Sequence, residues 1–311
     1  MRTHPGRVAL ARPRAHNLRV TGAVDSGTSF IRTTLKRRLK QCRVVARELR
    51  RDPSDDGHVH QLRIATRRAD AALRLFASSL PSKAVRRMRK RLRAVRRAAG
   101  DVRNLDVLLL RLAPANASSD AGEAAVITEL RRLRKRSSRR LLRKLTRLLD
   151  KRYRRLAKRL TRSLDDDTGG QPLRPLRLLR PLTAEFARAS ASNLAKIDNL
   201  HRFRICGKRV RYALEILREQ IPRKRYNSVI GSLKQLQEAV GTINDHHTAI
   251  LLLESVRKRC DGPAAEQALE RLIESEQQSL ASRHAEFLKW WKNAETGQRD
   301  AILHCTDLAA S

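Results

Sequence analysis

The segment His60-Gln61-Leu62-Arg63-Ile64 returns, altered but aligned, as His201-Arg202-Phe203-Arg204-Ile205, 141 residues further along the chain. The register holds beyond the segment itself. Arg67-Arg68 falls opposite Lys208-Arg209, Leu73 opposite Leu214, Phe76 opposite Leu217, and Gly100-Asp101-Val102-Arg103 opposite Gly241-Thr242-Ile243-Asn244. A constant offset leaves no room for a net insertion, so the chain reads as one structural unit used twice. A unit that cannot cover its own apolar face must bury it on a neighbour, which predicts two related bundles facing each other across a pseudo-two-fold axis. The junction falls in the breaker-rich run Asp165-Asp166-Asp167-Thr168-Gly169-Gly170-Gln171-Pro172.

The period within each unit is helical. Ile31, Leu35, Leu39, Cys42, Val45 and Leu49 form one apolar stripe, with Lys36, Lys40, Arg43 and Arg47 on another face. Val59, Leu62, Ala65, Ala69, Leu73, Phe76 and Leu80 form the next, stopped by Pro81. A third helix is expected to end at Gly100, with a short one from about Arg103 to Leu112 and a loop from Pro114 to Gly122. Glu123 to Leu164 reads as one long helix, or two broken near Ser137-Ser138. Helical patterns resume through Ile197, Leu200 to Ile221, Tyr226 to Val240, Ile243 to Arg259 and Ala264 to Trp291. Alternating apolar runs and hairpin turns are missing from the sequence. The expected fold is all-α: two bundles related by pseudo-symmetry. Residues 1–25 read as a disordered basic arm and 26–311 as one domain, with repeats at about 28–164 and 173–300 and a linker at 165–172.

Charge narrows the partner. The 311 residues hold 69 Lys and Arg against 31 Asp and Glu, a formal net charge of +38 that opposes folding unless anions are near. Arginine far outnumbers lysine, and a guanidinium grips phosphate oxygens in a two-pronged fork that an ammonium lacks. Aromatics make up only 3%, which argues against a platform for stacking single-stranded bases. Cys42, Cys206, Cys260 and Cys305 show no C-x-x-C pairing and read as buried free thiols in a reducing cytosol. The sequence holds neither a signal-peptide apolar region nor an 18-residue apolar run, so a cytoplasmic protein without membrane attachment is expected.

Within the repeat the basic residues share helical faces. His60, Arg63 and Arg67 lie at i, i+3 and i+7; His201, Arg204, Lys208 and Arg211 do likewise; Arg86, Arg89, Arg93 and Arg96 follow the same spacing. Stacked like charges repel by a few tenths of a kcal/mol per pair, roughly, and a string of phosphates laid along them reverses that cost. Recurrence in register favours function for the His-bearing helices, whereas the arginines between Arg131 and Arg162 fit a solvated face equally well.

At these residues the sequence resembles the CHAD family, the conserved histidine α-helical domain. The likeness rests on Val59 to Arg68 in the first half. In the second it rests on Leu200 to Arg204, Lys208 to Glu215, Leu233 to Gln237 and Gly241 to Asp245. The resemblance implies two pseudo-symmetric four-helix-type bundles around a basic central cavity that binds inorganic polyphosphate, and association with polyphosphate granules. It implies His60, Arg63, Arg67 and Arg68 as ligand-facing groups, with His201, Arg204, Lys208 and Arg209 as counterparts and Arg96, Arg103 and Lys234 as neighbours. Asn104 departs from the pattern by standing opposite the acidic Asp245. CHAD-like domains are often fused to a triphosphate-hydrolysing β-tunnel, but the nearest string to its E-x-E-x-K motif, Glu274-Ser275-Glu276-Gln277-Gln278, lacks the lysine. No G-x-x-x-x-G-K-[ST] loop occurs either, and these missing motifs argue against an enzyme; no metal or other cofactor is expected, and adjacent His246-His247 diverge too far on a helix to share an ion. The alternative reading is a non-specific nucleic-acid-binding helical protein, since a charge of +38 binds DNA at low salt whatever the native ligand.

Overall fold

The computed structural model describes residues 27–112, 120–164 and 174–293, and these are helical without a strand among them. The first half comprises α1 (Gly27–Arg51), α2 (Asp56–Leu75), α3 (Ser82–Leu112), α4 (Ala121–Leu149) and α5 (Lys151–Arg162). The second comprises α6 (Pro175–Ser190), α7 (Ile197–Ile216), α8 (Arg223–Arg257) and α9 (Pro263–Asn293). The expected arm at 1–25 and linker at 165–172 lie outside the described residues. The fold is all-α, as the periodicity requires.

Element boundaries keep the spacing of the sequence. α2 and α7 are each 20 residues long and start 141 residues apart, at 56 and 197; α3 and α8 start at 82 and 223. Each of α2 and α7 ends in a single 3₁₀ turn, at Ala77–Ser79 and Arg218–Gln220. Equivalent helices lie side by side: α2 touches α7, α3 touches α8, and α4 touches α9.

Three expected boundaries are corrected. α3 continues through Gly100 to Leu112, and α8 continues through Gly241 to Arg257, instead of breaking at the glycines. A mid-helix glycine costs only about 1 kcal/mol, and here apolar residues on both sides, Val95 and Val102 in α3, Val240 and Ile243 in α8, are buried in the same core. The break between α4 and α5 falls at Asp150, not at Ser137-Ser138. Ser137 is buried inside α4, while Asp150 accepts from the Tyr153 amide at 2.7 Å and from Arg91 at 2.8 Å. A carboxylate that caps a new helix and holds a guanidinium of α3 fixes the turn there. Asp55 and Asp120 cap α2 and α4 in the same way.

Two apolar clusters hold the halves together. The larger runs from Ile31 and Leu35 of α1 through Phe203 of α7 to Trp291 of α9. The Phe186 ring stacks on Phe203 at 4.9 Å and Trp291 meets Phe203 edge-on at 5.1 Å. The smaller cluster forms where the far ends of α3 and α8 meet the near ends of α4 and α9, around Leu105, Leu130, Leu253 and Leu269. Gly122 sits at that crossing, where a Cβ would overlap the Ala264 carbonyl. Cys42 and Cys206 are buried thiols as expected; Cys260 is only half-buried, because it lies just past the end of α8, and Cys305 lies outside the described residues. No helix among the described residues is long and apolar enough to cross a membrane.

Candidate functional site

Burial of Val59, Leu62, Ala69 and Leu73 fixes one face of α2, and burial of Leu200, Phe203, Val210 and Leu214 fixes the matching face of α7. The residues between these positions then face the space that the two helices and α3 and α8 enclose. A cavity of about 240 Å³ opens there, lined by His60, Arg63, Arg67, Arg103, Arg204 and Lys208, with Asn104 and Asp245 in its wall. A second, of about 560 Å³, shares Arg63, Arg67, Arg204 and Lys208 and continues past His201, Arg209 and Arg96. A third, of about 320 Å³, continues from His201 and Arg204 towards His247. The shared wall residues make these one cleft with several lobes.

The cations in this wall are held against their own charge. Burial, then the Arg67 and Arg103 charges, pushes the Arg63 guanidinium down to about 10. Burial, then Arg204, Arg67, Arg211 and Arg63, pushes the Lys208 ammonium down to about 6. Burial lowers Arg204 too, partly offset by Asp245. His60 is lowered by partial burial and by Arg103, and His201 by partial burial and by Arg204, so both favour the neutral imidazole. The Nε of Arg204 is buried without a hydrogen-bond acceptor, an orphaned donor of the kind native interiors avoid. Tyr212 braces the cluster: its hydroxyl accepts from Arg67 at 2.8 Å and from Arg211 at 3.2 Å, and its ring lies beneath both guanidiniums.

The expected site residues divide. His60, Arg63, Arg67, Arg103, His201, Arg204, Lys208, Arg209 and Arg96 all line the cleft. Two of these already hold a carboxylate: Arg96 donates to Asp70 at 3.2 Å and Arg209 to Glu185 at 2.6 Å. Arg68 turns away and pairs with Glu215 at 3.5 Å, and Lys234 is exposed on α8 outside the cleft wall. Asn104 accepts from Arg63 at the long distance of 3.5 Å, where Asp245 instead supplies charge to both Arg63 and Arg204. Sequence reasoning passed over Arg74, Arg97, Arg111 and Tyr212, all in the wall. Arg74 lies seven residues beyond Arg67, and Tyr212 four beyond Lys208 on α7, so helical spacing could have found both; Arg97 and Arg111 come from α3, whose orientation the spacing does not give.

Of the histidines weighed as metal ligands, His246 is taken up by Glu276 at 2.6 Å and by Arg111 at 3.0 Å. Among the described residues Asp52, Asp55 and His58 do come within reach of one another, but they belong to the turn before α2 and to its first turn, where Asp55 serves as the helix cap.

The depressed Lys208 has a measurable consequence for folding. An unfolded lysine keeps its proton up to about pH 10, whereas Lys208 in the fold releases it near 6. The unfolded chain therefore binds more protons across that window, and stability must rise as pH climbs through it. In ligand-free protein the rise due to Lys208 is expected to be on the order of 3 kcal/mol. Thermal melts of the parent and Lys208→Met from pH 6 to 9 check this: the variant should lose most of the climb.

Fold and site together define an all-helical protein with a cationic cleft between its halves. The chain belongs to the CHAD domain family, whose model matches residues 33–254. The crystal structure of the CHAD domain from the plant Ricinus communis aligns over 96% of this chain and 98% of its own, at 22% identity and a TM-score of 0.67. PptA from Streptomyces chartreusis aligns over 86% of this chain and all of its own, at 18% identity and a TM-score of 0.64. At these identities the likeness is one of fold. No curated protein matches the chain.

Proposed function

We propose that this protein binds inorganic polyphosphate in the cleft between α2, α3, α7 and α8, without turning it over, and is thereby carried to polyphosphate granules. The observation that carries the reading is the convergence of Arg63, Arg67, Arg204 and Lys208, from two helices 141 residues apart, on one wall where Asp245 is the nearby carboxylate. Burial lowers Arg63, Arg204 and Lys208, and Arg67 stands beside them, so a run of phosphates would relieve repulsion, fill donors and draw a proton back onto Lys208. The lobed cleft suits a thin, flexible polyanion with a charge on every unit. A stiff duplex, with a persistence length near 150 base pairs, cannot follow such a path. A single nucleic-acid strand would want free aromatic faces, and Tyr212, the aromatic in the described wall, is already covered by Arg67 and Arg211.

One observation favours a secondary partner. α5 carries Lys or Arg at seven of its 12 positions, all exposed and outside the cleft. Such an open face attracts any polyanion at low salt and loses it to screening. Competition of long-chain polyphosphate against duplex DNA at ~150 mM salt separates the two. Polyphosphate should displace DNA there and not the reverse; retention of DNA against excess polyphosphate would make the outer face the principal site and refute the cleft.

A further inference from the structure

Lys208 is chemically unlike the other lysines of the chain. Lys36, Lys83 and Lys224 are exposed, but Lys208 is half-buried at the point where the lobes of about 240 Å³ and 560 Å³ share a wall. Arg204 and Arg211 stand beside it on α7, and Arg63 and Arg67 face it from α2. α3 adds Arg103, Arg96, Arg97 and Asn104 to the wall, α8 adds Asp245, whose charge acts on Arg63 and Arg204, and Asp70 of α2 is held by Arg96. No carboxylate is paired with Lys208 among the described residues. An amine that is desolvated and crowded by cations is the arrangement that turns lysine from a charge into a nucleophile. The same guanidiniums form a cradle for a phosphate.

We propose that Lys208 is a self-acylation site, taking its acyl group from a small acyl phosphate anchored on Arg63, Arg67 and Arg204. The inference rests on the anion-binding reading of the cleft and adds a covalent outcome to it. The Nζ lone pair adds to the carbonyl carbon, and the bond from that carbon to the bridging oxygen breaks. Inorganic phosphate leaves with the electron pair and takes up the proton released by nitrogen. An amide and hydrogen phosphate result, and no further reactant is required. The two negative charges of the donor offset only part of the field of four guanidiniums, so the amine stays free while the donor is bound. Acylation then removes an amine that a longer polyanion would protonate and hold, and adds bulk where the lobes meet, which would lower polyanion affinity: a chemical brake on the same cleft.

The burial and cationic neighbours that push Lys208 down to about 6 leave it mostly unprotonated at pH 7, whereas an exposed lysine is almost wholly protonated. Even after the lower nucleophilicity of a less basic amine, acetyl phosphate should label Lys208 roughly tenfold faster than Lys36, Lys83 or Lys224. The test incubates the full chain with acetyl phosphate from pH 5 to 9 and maps acetylated peptides by mass spectrometry. Labelling of Lys208 should level off above pH 7 while the exposed lysines keep rising. Inorganic phosphate should slow Lys208 alone, and an uncharged donor, N-acetoxysuccinimide, should show a weaker preference for it. Uniform labelling, or a Lys208 preference that saturating phosphate leaves untouched, overturns the proposal. Polyphosphate binding is measured on the same samples. Binding without selective labelling defeats acylation alone; selective labelling without binding leaves acylation standing and removes the polymer reading.

Discussion

Replacing Arg63, Arg67, Arg204 and Lys208 together by alanine is expected to weaken polyphosphate binding by about a thousandfold or more while leaving the helical signal intact. Each charge-assisted contact to phosphate is worth about 1.5–3 kcal/mol. The four act on one polymer and will not add in full, but even a combined loss of about 4 kcal/mol is a factor near a thousand. The fold should not suffer. These side chains occupy a cleft, not the apolar clusters. Burial and mutual repulsion already depress Arg63 and Lys208, so the ligand-free variant should melt at a higher temperature than the parent. The control reverses Arg139, Arg143, Arg152 and Arg155, exposed on α4 and α5, to glutamate. It should cost less than about tenfold at ~150 mM salt. Titration by isothermal calorimetry reads both sets. Equal losses would mean that binding follows overall charge and that the cleft has no privileged role.

The second large effect centres on Asp70. This carboxylate is 6% exposed and accepts from Arg74 at 3.1 Å, Arg89 at 2.9 Å and Arg96 at 3.2 Å. Burial pushes it up, yet Arg74, Arg96 and Arg89 together hold it below the usual carboxylate range. Its stabilising contribution is thus complete above the ordinary aspartate range and fades as pH falls through the depressed value. Asp70→Asn leaves three guanidiniums crowded without their counter-charge, and the ligand-free protein should lose about 3–5 kcal/mol. The same change frees Arg74 and Arg96 in the wall of the larger lobe. Polyphosphate should therefore raise the melting temperature of Asp70→Asn by more than that of the parent, since tighter binding at fixed ligand gives a larger shift. A variant as stable as the parent, or one with an equal ligand-induced shift, would show that Asp70 neither holds these arginines nor withholds them from the anion.

Asp70 also illustrates why helical spacing reads only part of such a site. Arg74 is its i+4 neighbour and could be paired with it on paper. Arg89 and Arg96 arrive from α3, and no feature of their own segment says that they point at α2 and not at solvent. At the equivalent place in the second half the signs are reversed: Arg211 precedes Glu215, and Glu215 also takes Arg68 of the first half. Arg68 and Lys208 both looked like ligand groups in the sequence, yet one is neutralised across the interface and the other stands in the cleft.

What the chain determined by itself was periodic and local. The spacing of apolar residues set the helices, the 141-residue offset set which helices would match, and the i, i+3, i+7 placement set which basic side chains share a face. Only the tertiary structure decided which cations remain unpaired, because a guanidinium is neutralised by carboxylates tens of residues away. It also decided that α3 and α8 run unbroken through Gly100 and Gly241, because burial on both sides outweighs the intrinsic cost of a glycine. Periodicity names the face that a side chain occupies; only packing names the neighbour it meets there.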